Sequence, residues 1–257
     1  MKKTVIITGA SGAIGREIAH IFYKKGHNLI LLGRSLDKLE RFKKDIEKKE
    51  KGFIEILRYD AKEGREEGLI QGIFKNIGNT EILINGAGMG YYESLTDLDD
   101  TITKDVFEVN FFAPVRLIKA FLHQEVRPLW IINILSISAR LPVPFSGIYA
   151  SSKAALYMET ESARGELPPD VKIINILPGR IESEFSKNAP GTKYFSHGGR
   201  RADPKKLAEV VYKAFLKGTR EVIWPTKYRF ILYFQRMFPR VYEEKMRKLK
   251  KEYEERK

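Results

Sequence analysis

Short apolar segments alternate with longer amphipathic segments from Thr4 to about residue 225. The apolar segments are rich in β-branched residues, and the predicted strands are Thr4–Thr8, Asn28–Leu32, Phe53–Tyr59, Glu81–Asn85, Trp130–Leu135, Val171–Leu177 and Glu221–Trp224. The helical patterns between them cover Ile14–Lys25, Leu36–Lys49, Arg65–Ile77, Thr103–His123, Tyr149–Arg164 and Pro204–Leu216. Strands that are apolar on both faces and alternate with helices indicate a parallel sheet covered on both sides. The sequence therefore predicts an α/β fold, a single doubly wound domain with a parallel seven-stranded sheet flanked by helices, whose ligands bind beyond the carboxyl ends of the strands.

Two segments fall outside this alternation. Residues 184–203 are rich in Gly, Ser and charge without clear periodicity, which favours a lid or binding loop. Residues 228–257 begin with aromatic and basic side chains and end as a charged helix, and Pro239 is expected to kink or divide them. We therefore expect a catalytic domain over residues 1–227 and a helical extension over 228–257, which either belongs to the same domain or forms an interface element.

Composition excludes several classes of protein. With 43% hydrophobic residues the chain can bury a sizeable core, and without cysteine it has neither disulfides nor thiolate metal sites. The first apolar stretch breaks into Gly and Ser after only four residues, so it is typical of a buried strand rather than of a signal peptide. No stretch is long and apolar enough to predict a transmembrane helix. These features predict a cytoplasmic protein.

The formal net charge of +13 invites a nucleic-acid or membrane interpretation. Much of the charge, however, lies in mixed Lys/Glu segments such as residues 43–51 and 243–257. Dense mixed charge together with the absence of cysteine favours a solvated, heat-adapted surface of ion pairs. Nucleic acid is therefore not an expected partner, and binding of a polyanion is the alternative.

Residues Thr4–Ala19 combine a buried strand, a glycine-rich turn and the start of a helix. Glycines allow a tight turn and the close approach of a ligand, and the helix N-terminus offers free N–H groups to a pyrophosphate. Glycines also serve ordinary turns, but the strand-to-helix context favours dinucleotide binding.

The second predicted strand ends just before Arg34. A carboxylate there would hold the ribose hydroxyls of NAD, whereas an arginine can pair with the 2′-phosphate of NADP. An exposed arginine at a strand end is also common, and Lys38 either adds charge to the site or lies on the surface. Combined with the glycine turn, Arg34 predicts that NADP(H) is favoured over NAD(H).

Tyr149 and Lys153 stand four residues apart in a helical pattern and therefore face the same side. A nearby ammonium favours the phenolate, which moves the pKa of the tyrosine toward the working range of an acid/base catalyst. Ser136 follows the fifth predicted strand, at the sheet edge where ligands bind. The alternative is that the tyrosine–lysine pair arose by chance. In that case Ser136 and Ser138 only form hydrogen bonds with backbone groups of the loop.

The combined pattern resembles the short-chain dehydrogenase/reductase superfamily, in the branch whose chains are about as long as this one. The motifs that carry the resemblance are the glycine turn Thr8–Gly15, Asp60 after the third strand, the segment Asn85–Gly88, Asn110, the set Ser136, Tyr149 and Lys153, and the segment Pro178–Ile181. The resemblance covers the chain from Thr4 to about Pro225.

The resemblance implies a Rossmann-type domain that moves a hydride between a nicotinamide and a carbonyl or secondary alcohol. It implies that Tyr149 is the general acid/base, that Lys153 lowers its pKa and holds the nicotinamide ribose, that Ser136 orients the substrate oxygen, and that Asn110 helps hold a water linked to Lys153. The implied cofactor-binding residues are Gly9, Ser11, Gly12, Ala13, Ile14, Gly15, Arg34, Ser35, Asp60, Ala61, Asn85, Gly86, Ala87, Tyr149, Lys153, Pro178, Gly179, Ile181 and Ser183. No metal is implied, and a homodimer or homotetramer is expected.

The sequence departs from the family pattern at two places. The usual middle glycine of the turn is Ala13 and a glycine stands one place early, at Gly12, a spacing typical of the extended branch of epimerases and dehydratases. Gly86 stands where an asparagine is usual. Neither departure removes a catalytic group. Two alternatives to a hydride-transferring enzyme stay open, namely an epimerase or dehydratase on the same fold and a nonenzymatic NADP(H) sensor.

The sequence gives little information about the substrate. The candidate walls of the substrate pocket are Met89–Glu93, Leu141–Ile148 and the 184–203 loop, whose aromatic residues are Tyr91, Tyr92, Phe145, Phe185, Tyr194 and Phe195. They favour a hydrophobic carbonyl substrate over a sugar, and plain packing is the alternative. The aromatic and basic residues of the tail favour packing on the core or on a second subunit, with peripheral membrane contact as the less favoured alternative.

Overall fold

A computed structural model describes residues 2–47, 52–78, 80–191 and 201–255. Its strands are β1 (Thr4–Thr8), β2 (Asn28–Gly33), β3 (Ile54–Arg58), β4 (Ile82–Asn85), β5 (Leu129–Ile134), β6 (Val171–Pro178) and β7 (Glu221–Trp224). The α-helices within these ranges are α1 (Ala13–Lys24), α2 (Leu36–Glu47), α3 (Glu66–Ile77), α4 (Asp100–Phe107), α5 (Ala113–Leu122), α6 (Gly147–Ala163), α7 (Pro204–Lys217), α8 (Lys227–Met237) and α9 (Pro239–Glu254). The predicted alternation of strands and helices is confirmed.

The strands form one parallel sheet in the order β3-β2-β1-β4-β5-β6-β7. The chain runs outward from β1 to β3 on one side and returns to the centre to build β4 to β7 on the other. The strand order therefore reverses between β1 and β4, and the loops that follow these two strands diverge. Such a point is where ligands bind in open α/β sheets.

Each face of the sheet is covered by its own apolar layer. Side chains of α1, α2 and α7, among them Phe22 and Val211, pack on one face. Side chains of α3 and α5, among them Ile70 and Phe121, pack on the other. Because both faces are buried, the strands are mostly apolar on both faces, as the sequence predicted.

The region predicted as one helix over Thr103–His123 consists of three pieces. Helix α4 begins at Asp100 because the carboxylate of Asp99 accepts a hydrogen bond from the Ile102 N–H over 2.9 Å and caps the first turn. A π-helical turn, Glu108–Phe112, then separates α4 from α5. Single π turns occur mostly at functional sites, and this one holds Asn110.

The tail forms two helices that meet at Phe238 and Pro239, as the sequence predicted. Tyr242 and Met246 of α9 are buried in a third apolar cluster together with Leu135, Leu177 and Ile223. The Tyr242 hydroxyl also donates a hydrogen bond to the Pro142 carbonyl over 2.8 Å. One side of the tail therefore packs on the catalytic domain. Within the described ranges, no helix combines the length and the apolar character needed to cross a bilayer.

Candidate active site

The turn after β1 is held by backbone contacts that require glycine. Gly9 has a φ of +67°, and a Cβ added to it would lie 2.7 Å from the Ala87 nitrogen. A Cβ on Gly15 would lie 2.3 Å from the Gly9 carbonyl oxygen. The Thr8 hydroxyl joins this turn to the loop after β4, because it accepts hydrogen bonds from the Gly86 and Ala87 N–H groups, both over 3.1 Å. The two loops that flank the crevice are thus fixed to each other.

The N-terminus of α1 opens toward this crevice without a side-chain cap. Its N-cap residue is Gly12, and Ala13 and Ile14 begin the helix. A Cβ on Gly12 would approach only the Gly9 carbonyl oxygen, at 3.3 Å, so this position is less crowded than Gly9 or Gly15. Uncapped N–H groups at a helix N-terminus attract anions. The geometry fits the pyrophosphate of a dinucleotide.

Beyond the turn lie the residues expected to contact the adenosine end. Arg34 is exposed directly after β2 and has no hydrogen bond or ion pair with any described residue. Ser11 lies beside it, since a Cβ on Gly33 would lie 3.5 Å from the Ser11 Oγ. Asp60 is half-buried after β3 and accepts a hydrogen bond from the Lys62 N–H over 3.1 Å, with Ala61 buried beside it. An exposed guanidinium with no protein partner suits a phosphate.

The loop after β4 explains one departure from the family pattern. A Cβ on Gly86 would lie 2.7 Å from the Thr8 carbonyl oxygen. The close approach of the two loops therefore leaves no room for a side chain at this position. Glycine at residue 86 follows from the packing of this chain.

A row of asparagines crosses the sheet beneath the site. Asn85 of β4, Asn133 of β5 and Asn175 of β6 stand opposite one another in the strand register. The Asn85 amide donates to the Asn133 oxygen over 2.9 Å, and the Asn133 amide donates to the Asn175 oxygen over 3.0 Å. Asn175 in turn donates to Thr160 of α6 over 3.1 Å. All three asparagines are buried, so each depends on its neighbours for hydrogen bonds.

Ser136, Tyr149 and Lys153 lie together beyond the ends of β5 and β6. The Ser136 hydroxyl is hydrogen-bonded to the Tyr149 phenol. Lys153 is buried one helical turn further along α6, and its ammonium donates to the Ile134 carbonyl at the end of β5 over 3.2 Å. The structure therefore brings the three predicted catalytic side chains together at the sheet edge.

Asn110 reaches the same place from the π-helical turn. It is fully buried, with its oxygen accepting from the Met89 N–H over 2.9 Å and its amide donating to the Met89 carbonyl over 2.8 Å. A Cβ on Gly88 would lie 3.3 Å from the Asn110 oxygen and 3.4 Å from the Lys153 nitrogen. Asn110 and Lys153 therefore both lie next to Gly88, and a side chain at residue 88 would be in close contact with both.

The surroundings determine the protonation states of the central pair. Burial raises the pKa of the Tyr149 phenol and the neighbouring Tyr92 raises it further, whereas the hydrogen bond with Ser136 lowers it. Burial lowers the pKa of Lys153 to about 8. The sequence led us to expect that Lys153 would lower the pKa of Tyr149. Burial is the largest effect on the phenol and raises its pKa overall, and the expected contribution of Lys153 stays a prediction. At neutral pH Tyr149 is thus the neutral phenol, which is the form that donates a proton.

The segment after β6 borders the site on its far side. A Cβ on Gly179 would lie 2.1 Å from the ring of Tyr228, so the first turn of α8 packs directly on Gly179. Ile181 forms an isolated parallel bridge with Ala202 and packs against the core, and Ser183 is partly exposed. The predicted nicotinamide segment is therefore held between the sheet and the tail.

The aromatic residues predicted for the substrate pocket separate into different groups. Tyr92 and Phe185 pack on Tyr149, with ring centroids 6.1 and 5.8 Å away. Tyr91 is instead buried, and its hydroxyl accepts a hydrogen bond from the Asp99 N–H over 2.8 Å, so it contributes to packing behind the site. Phe145 contacts Lys250 of α9 through its ring. Tyr194 and Phe195 lie outside the described residues.

Sequence reasoning gave Ser138 no part in the site. Its N–H and its hydroxyl both donate to the Ser136 Oγ, over 3.2 and 2.8 Å. Because Ser136 accepts two bonds from Ser138, its own proton is directed to the Tyr149 side. The sequence signal that could have identified Ser138 is its position two residues after Ser136, where a short 3₁₀ turn brings the two hydroxyls together.

Comparisons with known proteins agree with this geometry. A family model described as short chain dehydrogenase matches residues 3–193. Dehydrogenase/reductase SDR family member 7B of Bos taurus is 30% identical over 234 residues, which cover 85% of this chain and 72% of that protein. The 11-beta-hydroxysteroid dehydrogenase-like 3 protein of Arabidopsis thaliana is 29% identical over 245 residues, covering 93% and 79% of the two chains. An alcohol dehydrogenase from the archaeon Thermococcus sibiricus, solved with 5-hydroxy-NADP, superposes with a TM-score of 0.77 at 27% identity, covering 87% and 96%.

Proposed function

Since this chain belongs to the short chain dehydrogenase family, we propose that it is an NADP(H)-dependent oxidoreductase that interconverts a carbonyl and a secondary alcohol, with Tyr149 as the general acid/base. The observation that carries the proposal is the convergence of Ser136, Tyr149, Lys153 and Asn110 beside the uncapped N-terminus of α1. This arrangement supports proton transfer next to a dinucleotide.

When bound, the nicotinamide supplies the hydride for reduction and accepts it for oxidation. During reduction the neutral Tyr149 phenol donates its proton to the substrate oxygen as the hydride reaches the carbonyl carbon. The Ser136 hydroxyl, oriented by Ser138, holds that oxygen beside the phenol. The Lys153 ammonium stabilises the phenolate that remains and would hold the nicotinamide ribose when the cofactor is bound, and Asn110 holds the backbone at Met89 in place. Oxidation reverses each step.

The cofactor of the proposed enzyme is NADP(H) rather than NAD(H). Arg34 supports this choice because it is exposed at the end of β2 and unpaired among the described residues. The pocket suits a carbonyl with apolar substituents, because Tyr92 and Phe185 pack beside Tyr149.

The remaining features of the proposal are the oligomeric state, the cellular location and the heat adaptation of the surface. We propose a cytoplasmic homodimer or homotetramer with a heat-adapted surface. Networks of ion pairs support the last point, since Glu161 pairs with both Arg164 and Arg220.

Binding of NADPH and NADH, followed by nicotinamide fluorescence, tests the cofactor assignment. We expect wild type and the matched control Arg41→Ala to prefer NADPH, since Arg41 is an exposed arginine on α2 that lies outside the proposed site. We expect Arg34→Ala to lose about 10- to 100-fold in NADPH affinity, the usual loss for a charge-assisted pair, with NADH unchanged. Equal binding of NADH and NADPH by wild type would contradict the assignment.

Turnover of a panel of carbonyl compounds with NADPH tests the chemistry. We expect Tyr149→Phe to lower kcat by about 10²- to 10⁴-fold with NADPH binding retained. Turnover without net oxidation of NADPH would instead indicate an epimerase or dehydratase. Tight NADPH binding with no turnover of any compound would indicate a sensor.

A further inference from the structure

Helix α8 is apolar on two opposite sides. On its inner side Tyr228, Ile231 and Leu232 pack against the third apolar cluster. On its outer side Phe230, Tyr233, Phe234 and Met237 recur at helical spacing and are exposed to solvent. We call this outer side, together with Phe238 and Val241 that continue it, the aromatic face.

The aromatic face is unusual in the degree of its exposure. Phe230 is 78% exposed, Tyr233 66% and Met237 54%. Within the described part of the chain, half of the strongly exposed large apolar side chains fall between residues 230 and 241. A contiguous apolar surface of this kind marks an interaction site.

The charged residues of α8 all have one sign. Between residues 222 and 242 the chain has four basic residues, Lys227, Arg229, Arg236 and Arg240, and no acidic residue. All four are exposed, and none forms an ion pair with a described residue. At 100° per residue, Arg229 and Arg236 flank one edge of the face and Lys227 flanks the other. The basic side chains of this segment therefore lie beside exposed apolar side chains.

We propose that the aromatic face docks on an anionic phospholipid bilayer, with α8 lying in the plane of the headgroups. The aromatic and Met side chains would enter the boundary between headgroups and acyl chains, and the flanking arginines would reach the phosphates. Helix α8 has 11 residues, too few to span a bilayer, so the contact is peripheral.

A second copy of the chain fits this surface less well. Two copies joined symmetrically through the aromatic face would place eight basic side chains near one another, with no carboxylate from residues 222–242 to offset them. Like charges across an interface are unfavourable. An anionic lipid surface complements the same charges.

Co-sedimentation with lipid vesicles tests the proposal. Wild type is mixed with vesicles of phosphatidylcholine alone, or with added phosphatidylglycerol, at low and at high salt. We expect binding to the anionic vesicles at low salt and much weaker binding in the other conditions. We expect the triple variant Phe230→Ser, Phe234→Ser, Met237→Ser to reduce partitioning about 100-fold or more. The double variant Met158→Ser, Leu216→Ser removes exposed apolar side chains elsewhere and should bind like wild type.

A charge series separates this site from general adsorption of a basic protein. Replacing Arg229, Arg236 and Arg240 with Gln should lower binding on the order of 100-fold. Replacing Lys205, Lys206 and Lys213, three exposed lysines of α7, should have little effect. Equal losses in the two triple variants would overturn the proposal, because binding would then follow net charge alone.

Two further results would also overturn it. One is the absence of any wild-type binding to anionic vesicles, with sedimentation velocity showing a dimer that the triple Ser variant dissociates, since a second copy would then cover the face. The other concerns tryptophan fluorescence of vesicle-bound protein in the presence of brominated lipid. The proposal would fail if Phe234→Trp were quenched no more strongly than Leu216→Trp. We expect strong quenching at residue 234 only.

Discussion

On the β1–β2 side of the candidate site the groups that build the site belong mainly to the backbone, whereas on the β4–β6 side they belong to buried side chains. The first side uses the glycine turn, the N-terminus of α1 and a single exposed arginine. The second side uses the asparagine row, Asn110 and Lys153, each hydrogen-bonded to another part of the chain. A site built from backbone groups keeps its geometry under most substitutions, but it is distorted where a new Cβ would overlap with a neighbouring atom. Buried polar side chains fail when any partner is removed.

The largest expected effect is that of Gly9→Ala on the backbone-built side. The new Cβ would meet the Ala87 nitrogen at 2.7 Å, and the φ of +67° is unfavourable for alanine. We expect a loss of about 3 kcal/mol or more in the free energy of unfolding, from backbone strain and overpacking together. Urea denaturation of the protein without cofactor measures it.

Gly12→Ala is the matched control in the same turn. Its Cβ would approach only the Gly9 carbonyl oxygen, at 3.3 Å, with a φ of −80° that alanine adopts freely. We expect a change below about 1 kcal/mol. If both variants lost the same stability, the contact between the β1 and β4 loops would not be what requires glycine at residue 9.

A smaller loss is expected on the side built from side chains. Asn133→Ala removes the central member of the asparagine row and leaves the Asn85 amide without its acceptor and the Asn175 oxygen with only the Thr160 hydroxyl. Unpaired buried polar groups predict a loss of about 2 kcal/mol in the free energy of unfolding. Asn188→Ala, at an exposed position, should change stability by less than about 0.5 kcal/mol. A nearly neutral Asn133→Ala would mean that water replaces the lost partners and that the row is not a structural unit.

The difference between the two sides also explains what the sequence could predict. The glycine turn and the strand-helix alternation are local patterns, so the sheet, its helices and the position of Arg34 followed from short segments. The asparagine row depends on the register of three strands, and each asparagine is more than forty residues from the next one along the chain. No local pattern contains that register.

The same limit applies to Asn110 and to the substrate wall. A π turn inside an apolar helical segment has no distinct periodicity, and the hydrogen bonds that hold Asn110 come from Met89, 21 residues away, and from Ser152, 42 residues away. Tyr91 and Tyr92 are adjacent and chemically identical, yet one is buried as packing and the other contacts Tyr149. Their directions depend on tertiary packing, which the sequence alone did not supply.

A pH dependence is expected to arise on the side-chain side alone. Burial lowers the pKa of Lys153 to about 8, so the ammonium loses its proton as the pH rises through that value. We expect kcat/KM for carbonyl reduction to fall by about tenfold per pH unit above pH 8, because the neutral amine no longer stabilises the phenolate. The arginine of the Lys153→Arg variant stays charged above pH 8, so this variant should not show the fall in kcat/KM, even if its kcat/KM is lower at every pH. The unfolded chain binds this proton more tightly than the folded one, so stability should rise with pH from about 8 to the ordinary range of lysine. The slope should reach about 1.4 kcal/mol per pH unit and be absent in Lys153→Met. An unchanged basic limb in Lys153→Arg would assign the titration to another group and place the catalytic charge elsewhere.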